Sequence, residues 1–338
     1  MRRLSFLYLP VEKHNERILP GPMALALRAH GELTVIENAA GLPDGERAQR
    51  IREHEVLFSG WGSAPVPAEV AENPGKLRWI CQITGELRKT VPIEIIRSGV
   101  AVTNWGDTPA SAVAEGALTL LLAVLKDLHH QVQHQREGRK PVEPRTSIFT
   151  LEELRVGVYG LGVIGKRFLE LLAPFHVHVR VFDPYLKDLP PGCERASSLE
   201  DLFSNADAIV IHAGQTPETI GTVNAGLLAR LPDGALVINT ARPLIIDQDA
   251  LFSELSAGRL RAGLDVVNQD DLPPGHPIRC CENLIWTGHR ISNEWPSDGK
   301  PITRLRNMHR TALDNLVRYL AGEELRFRMD ETRYLRST

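Results

Sequence analysis

In the first third of the chain, short apolar runs alternate with stretches whose apolar positions recur at helical spacing. The runs Leu4–Leu9, Leu33–Glu37, Val56–Ser59, Leu77–Gln82 and Ala101–Asn104 predict β-strands, with helices between them at Ala24–His30, Gly45–His54, Ala68–Ala71 and Pro92–Arg97. A parallel pair needs a crossover long enough to hold a helix, so this alternation predicts a parallel sheet with helices on both faces. From Ala110 to Leu128 the pattern changes: most faces of this predicted helix are apolar, which expects burial between domains or between subunits. The polar stretch His129–Arg145 then reads as an exposed connection.

A second alternating series follows. Arg155–Tyr159 predicts a strand, and Val163–Ala173 a helix with Ile164, Phe168, Leu171 and Leu172 on one face. In Val177–Phe182, Val177, Val179 and Val181 alternate with His178, Arg180 and Phe182, the period-two signature of a strand. Further strands are expected at Ala208–His212, Ala235–Asn239, Arg261–Val266 and Leu284–Trp286. Ile302, Leu305, Leu313, Leu316 and Leu320 mark a long amphipathic helix, with Pro301 near its start and Gly322 as its stop.

Composition adds exclusions. A length of 338 residues suggests two domains, and 27 glycines and 23 prolines are too few for a low-complexity or collagenous chain. With 39 basic against 42 acidic side chains, no broad positive field favours nucleic acid or a membrane surface. The basic run His134–Lys140 reads as a solvated helix end, and the apolar stretch Gly116–Leu125 is too short to span a bilayer. Arg2-Arg3 precede an apolar run, but Pro10 and Glu12-Lys13 interrupt it, so it reads as a first strand rather than a signal peptide. Cys81, Cys193, Cys280 and Cys281 show no metal-binding spacing and fit reduced thiols in a cytoplasm, so no metal is expected.

Gly160, Gly162 and Gly165 form a GxGxxG motif where a predicted strand gives way to a predicted helix. Gly160 permits the tight turn, Gly162 lets a pyrophosphate approach the backbone, and Gly165 allows close helix–strand packing. The free N–H groups near Val163 and Ile164 would face the phosphates at the positive end of the helix dipole. Asp183 ends the next strand, where a carboxylate accepts from the adenosine ribose and repels a 2′-phosphate, favouring NAD over NADP.

Further residues resemble the D-isomer-specific 2-hydroxyacid dehydrogenase family. The stretch ADAIVIHAGQTPETIGTVNAGLLARLPDGALVINTARPLIIDQDAL (206–251) looks like its second signature, and GLDVVNQDDLP (263–273) and TGHRIS (287–292) look like its active-site segments. VTNWGDTPASAVAEGALTLLLA (102–123) and DNLVRYLAGEEL (314–325) resemble the start of its NAD domain and its C-terminal helix. The resemblance runs from about residue 75 to 325; residues 1–75 fit in pattern only. It implies an α/β protein of two Rossmann/flavodoxin-like, doubly wound parallel-sheet domains. The NAD-binding Rossmann domain (106–293) would be inserted into a discontinuous flavodoxin-like substrate domain (1–105 and 294–338), with the chemistry in the cleft between them. It also implies a homodimer through the NAD domain, which the apolar helix at 110–128 independently supports.

By the same resemblance, His289 is the catalytic acid–base and Arg242 the fork that holds the substrate carboxylate. Thr84 and Gly85 stand where backbone N–H groups meet that carboxylate. Asp265 falls at the nicotinamide carboxamide, and His212, Ala213, Thr240, Ala241 and Ser292 line the rest of the cofactor. The family's catalytic glutamate falls on Asp270, one methylene shorter, with Asp271 as a nearby rival. Pro243 and Ser292 replace glycines, Gly288 replaces a proline, and TGELRK (84–89) replaces the usual substrate loop, with either Arg88 or Lys89 expected to enter the pocket. These departures cluster around the substrate. Two functions remain open at this stage: an NAD-dependent oxidoreductase acting on a small D-2-hydroxy or 2-oxo acid, and an NAD(H)-sensing binding protein or corepressor on the same fold.

Overall fold

The computed structural model describes residues 3–85, 87–139, 150–268, 272–292 and 302–336. They form two compact units, one of residues 1–109 with 294–338 and the other of residues 110–293.

The first unit is a five-stranded, wholly parallel sheet of β1 (Leu4–Tyr8), β2 (Gly31–Val35), β3 (Val56–Ser59), β4 (Trp79–Gln82) and β5 (Ala101–Thr103). Its spatial order, β2-β1-β3-β4-β5, is the flavodoxin-like order, with a topological switch between β1 and β3. Its helices are α1 (Gly21–His30), α2 (Asp44–Arg52) and α3 (Ile93–Arg97). The expected helix at Ala68–Ala71 is a single 3₁₀ turn, Ala68–Val70, because Pro67 and the short apolar stretch leave no room for a full α-helical run.

The second unit opens with α4 (Ala110–Leu125). Its buried side chains pack into its own unit, against β-strands and a second helix, which accounts for its apolar character. The helix does not reach residue 128. Asp127 takes a left-handed conformation (φ 49°) and turns the chain into α5, Leu128–Arg136, where the sequence predicted an exposed connection. The polar pattern misled because α5 buries a polar residue: the ring of His130 lies within 3.1 Å of the Asp127 carboxylate and meets His134 edge-on at 4.4 Å.

Seven parallel strands follow: β6 (Arg155–Tyr159), β7 (His178–Phe182), β8 (Cys193–Arg195), β9 (Ala208–Ile211), β10 (Leu236–Asn239), β11 (Arg261–Leu264) and β12 (Leu284–Trp286). Their order, β12-β11-β10-β9-β6-β7-β8, is that of a doubly wound nucleotide-binding sheet, with its switch point between β6 and β9. The edge strand β8 gives no sequence signal: it is three residues long, and Glu194 and Arg195 are exposed. Helix α6 (Val163–Leu172) buries Gly165, Phe168 and Leu172. The connections after it are α7 (Leu199–Ser204), α8 (Ala225–Leu228) and α9 (Gln248–Ser256), capped by the side chains of Ser198, Asn224 and Asp247.

In the first unit, α10 spans Asn307–Ala321 and stops at Gly322 (φ 70°), as the glycine predicts. Ile302 and Leu305 precede it, so the helix begins later than their spacing suggested. A final helix, α11, runs Glu331–Arg336. No helix among the described residues is long and apolar enough to cross a membrane.

The contact of α4 with β11 is close enough to test. A Cβ on Gly263 would stand 2.9 Å from Leu120 Cβ and 3.2 Å from Val124 Cγ2. We expect Gly263→Ala to cost about 1–3 kcal/mol through overpacking. It should lower the urea midpoint at unchanged slope, whereas an unchanged midpoint would mean that α4 does not bear on β11.

Candidate active site

Because every strand of the second unit is parallel, its loops with candidate chemistry leave the sheet at one edge, the C-terminal ends of the strands. The turn after β6 is the tightest of them. Gly160 has φ 90°, and a Cβ there would strike Ala213 N at 2.5 Å and Ala213 Cα at 2.6 Å. Only glycine meets both demands, so the turn is pressed against the end of β9. Gly165 lies on the Gly160 carbonyl (a Cβ would be 2.6 Å from its oxygen), which fixes α6 close beneath the turn. By contrast, Gly162 caps α6 with nothing within 4 Å of a would-be Cβ, so the backbone there is open to a close ligand. Val163 is 54% exposed and Ile164 half-buried at the first turn of that helix.

Asp183, just past β7, braces the same turn. Its Oδ2 accepts from Leu161 N at 2.7 Å and its Oδ1 from Tyr185 N at 2.9 Å. A cleft of about 400 Å³ opens beside it, lined by Leu161, Gly162, Lys166, Asp183, Tyr185 and Lys187. That volume suits a nucleoside-sized group.

Two polar groups at the ends of β9 and β10 have no hydrogen-bond partner among the described residues, His212 Nε2 and Thr240 Oγ1. The His212 ring packs 5.0 Å from that of Phe168, and burial pushes its imidazole down to about 3. The open cap, the pressed turn and these orphaned polar atoms fit a dinucleotide laid along the edge.

The loop after β10 is held by a residue that the sequence reading passed over. Asn239 Nδ2 donates to Arg242 O at 2.9 Å, and Asn239 Oδ1 accepts from Ala241 N at 2.9 Å, which folds Thr240–Arg242 into a defined turn. Arg242 is half-buried, and its Nη1 donates to Ala241 O at 2.8 Å. An Asn ending an apolar strand just before a loop is a recognisable turn signal.

Asp265, after β11, is 2% exposed. Its Oδ1 accepts from Thr287 Oγ1 at 2.6 Å, Arg290 N at 2.7 Å and Ile291 N at 3.0 Å, while its carbonyl accepts from His289 N. The sequence reading assigned Asp265 to the cofactor alone and missed this role in holding the turn that carries His289. Gly288 and His289 both have φ 61°, and the imidazole-bearing residue is exposed. Ser292 follows in the same turn, half-buried. Arg242, Asp265 and His289 thus follow β10, β11 and β12, adjacent strands spaced by about 4.8 Å each. Asp270 and Asp271 lie outside the described residues.

Thr84 and Gly85 belong to the first unit, after β4. Thr84 is fully buried and its Oγ1 accepts from Gln82 Nε2, so only its backbone can serve a ligand. The loop is tied to the C-terminal residues: Asn104 Nδ2 donates to Gly85 O, Arg333 Nη2 to Asn104 Oδ1, the Tyr334 hydroxyl to Val91 O, and Arg88 to Leu335 O. Arg88 is therefore engaged with α11.

The chain is similar to known proteins along most of its length. Residues 118–290 match the model for the D-isomer specific 2-hydroxyacid dehydrogenase, NAD binding domain. The chain is 29% identical over 318 residues to a glyoxylate reductase of Thermofilum pendens, covering 91% of each. It is 33% identical over 264 residues to a D-3-phosphoglycerate dehydrogenase of Mycobacterium bovis, covering 76% of this chain and 48% of that one. It spans about half the length of the phosphoglycerate dehydrogenases it matches and about nine-tenths of the reductases. Among solved structures, a phosphoglycerate oxidoreductase from Rhizobium etli superposes with a TM-score of 0.76 at 26% identity, covering 98% of this chain and 99% of that one.

The buried His212 makes stability depend on pH. Unfolded, the imidazole binds a proton near pH 6.5; folded, it resists one until about pH 3. Between those values the unfolded state holds the extra proton, so stability should fall with acidification by up to about 1.4 kcal/mol per pH unit. We expect His212→Phe to flatten that slope in urea titrations between pH 6.5 and 4; an unaltered slope would rule out a buried neutral imidazole.

Proposed function

This chain belongs to the D-isomer specific 2-hydroxyacid dehydrogenase family, and on that premise we propose that it transfers a hydride between NAD(H) and a small D-2-hydroxy acid or its 2-oxo acid. The observation that carries this reading is the turn after β12. There a buried carboxylate holds an exposed histidine in a left-handed conformation, at the same sheet edge as Arg242. When bound, the nicotinamide ring supplies the hydride donor or acceptor.

The chain's own residues do the rest. The Arg242 guanidinium holds the substrate carboxylate through paired N–H donors, and the Thr84 and Gly85 backbone contributes further donors. A ring nitrogen of His289 takes the C2 hydroxyl proton in oxidation and returns one to the carbonyl oxygen in reduction. Asp270 orients that imidazole, with Asp271 as the competing partner. Gly160 and Gly165 shape the turn in which the Gly162, Val163 and Ile164 backbone holds the pyrophosphate, and Asp183 holds the adenosine ribose, favouring NAD over NADP. His212, Ala213, Thr240, Ala241 and Ser292 line the remaining surface, while Asp265 adds the carboxamide contact to its role in the turn.

Exposed apolar side chains on α5, Leu128 at 53% and Val132 at 39%, support a homodimer through the second unit, measurable by light scattering. The cysteines show no disulfide-framework or metal-binding spacing, which supports the reading of a reducing, cytoplasmic setting.

NADH absorbance with a panel of 2-oxo acids tests the reaction. General acid–base catalysis contributes about 10²–10⁴-fold, so His289→Asn should lose that much in kcat, and a variant within about threefold of the parent would remove His289 from the mechanism. Asp270→Asn should lower kcat by more than Asp271→Asn does; the reverse order would transfer the role to Asp271.

A further inference from the structure

Two tryptophans in the first unit flank the loop assigned to the substrate carboxylate. Trp61 follows β3, Thr84 and Gly85 follow β4, and Trp105 follows β5; these strands are neighbours in one parallel sheet, so all three loops emerge at the same edge. The two indoles meet edge to face, with centroids 5.3 Å apart and planes at 86°. Gly85 is turned onto Trp105: a Cβ there would lie 2.4 Å from the indole Nε1 and 2.6 Å from Cε2. The glycine is thus what lets an aromatic ring lie directly against the loop.

Trp61 remains 41% exposed, yet its loop is firmly held. Asn15 Nδ2 donates to Trp61 O at 3.1 Å, and Val11 N donates to Gly62 O at 2.8 Å. A large apolar ring left partly open on a fixed loop, at the strand ends where such sheets take ligands, is better explained by a partner that covers it than by packing alone.

We propose that Trp61 and Trp105 form the subsite for the substrate's side chain, and that the preferred 2-oxo acids carry an aromatic group on C3. This rests on the oxidoreductase reading and on the carboxylate lying at Thr84–Gly85. The substituent on C2 is bonded one carbon from that carboxylate, so with the acid seated there it stands within van der Waals reach of the indole that Gly85 touches. A phenyl group covers the open indole surface and completes a three-ring cluster with edge-to-face or offset contacts. Glyoxylate has only hydrogen at this position and leaves both rings wet. Since even one methylene in such a pocket changes selectivity by about 10–200-fold, a whole ring gives a readable preference.

The experiment compares kcat/KM for glyoxylate, pyruvate, 4-methyl-2-oxopentanoate and phenylpyruvate with NADH in the 338-residue chain. We expect phenylpyruvate to exceed pyruvate by about tenfold or more. Trp61→Ala and Trp105→Leu should each lower phenylpyruvate kcat/KM by more than they lower pyruvate kcat/KM and so erase most of that advantage; Trp61→Phe, which keeps a ring, should retain it. Thermal unfolding of each variant identifies any loss of fold, and Trp61→Ala, at an exposed position, keeps the test available should Trp105→Leu fail to fold. A parent that prefers glyoxylate or pyruvate overturns the proposal, as does an equal fall for every substrate in folded variants. Absence of turnover with all four acids would instead bring down the oxidoreductase reading on which the proposal stands.

Discussion

The Asp265 carboxylate is withdrawn from water almost completely, and a charge so placed is tolerable only when hydrogen bonds replace its hydration. Three donors do so at one oxygen, all from residues 287–291. Each bond to a charged acceptor contributes about 1.5–3 kcal/mol, against about 1–3 kcal/mol for holding a non-glycine residue in the left-handed region. The balance favours a turn that passes through Gly288 and His289 at positive φ. Without that carboxylate the turn would lose three bonds and keep only its backbone ties, Thr287 N to Leu264 O and His289 N to Asp265 O, so His289 would be held far less firmly at the sheet edge.

The same edge owes its chemistry to chain direction. Parallel strands deliver every successive loop to one side, so residues far apart in sequence become neighbours without any direct bond between them. Gly160 after β6 touches His212–Ala213 after β9, although some fifty residues separate them, because these strands pair at the switch point. The close approach is purchased by the absence of side-chain atoms: any Cβ at Gly160 would enter backbone of the neighbouring loop. Asn239, Asp183 and Asp265 then lock three loops as strand-end side chains that accept from backbone N–H groups: Asn239 within its own loop, Asp183 in the turn after β6 and Asp265 in the turn after β12.

Periodicity made the sheet legible. The runs at Val56–Ser59, Arg155–Tyr159 and Leu284–Trp286 are strands with those same bounds, since parallel strands are short and mostly apolar. Elements that bury polar groups or bury little were not legible: α5 looks like a loop because its buried residue is a histidine, and β8 exposes most of its side chains. In the site, glycine spacing pointed to the turn and the resemblance to Arg242 and His289. The bracing residues were harder to read. Asn239 carries no reactive group, and Asp265 already had an assignment. The indole pair emerges only when β3 and β5 are seen on either side of β4.

The departures from the family pattern are mechanically coherent with this structure. Proline is locked near φ −65°, so the residue before His289 could not reach φ 61° were it the usual proline; Gly288 opens a path into the Asp265-held turn that the family residue would close. Pro243 works in the opposite sense. It starts the 3₁₀ turn Pro243–Ile245 directly after Arg242, where its fixed φ stiffens the exit from a loop already braced by Asn239. In the first unit, the changed loop after Gly85 ties its new Arg88 to the backbone of α11 and brings the glycine against Trp105. Each of these changes thus alters how a loop is held, while the turn after β6 keeps its three glycines and the aspartate that braces it. A cofactor of constant chemistry fixes its residues; a substrate that differs from relative to relative leaves its loops to be rebuilt.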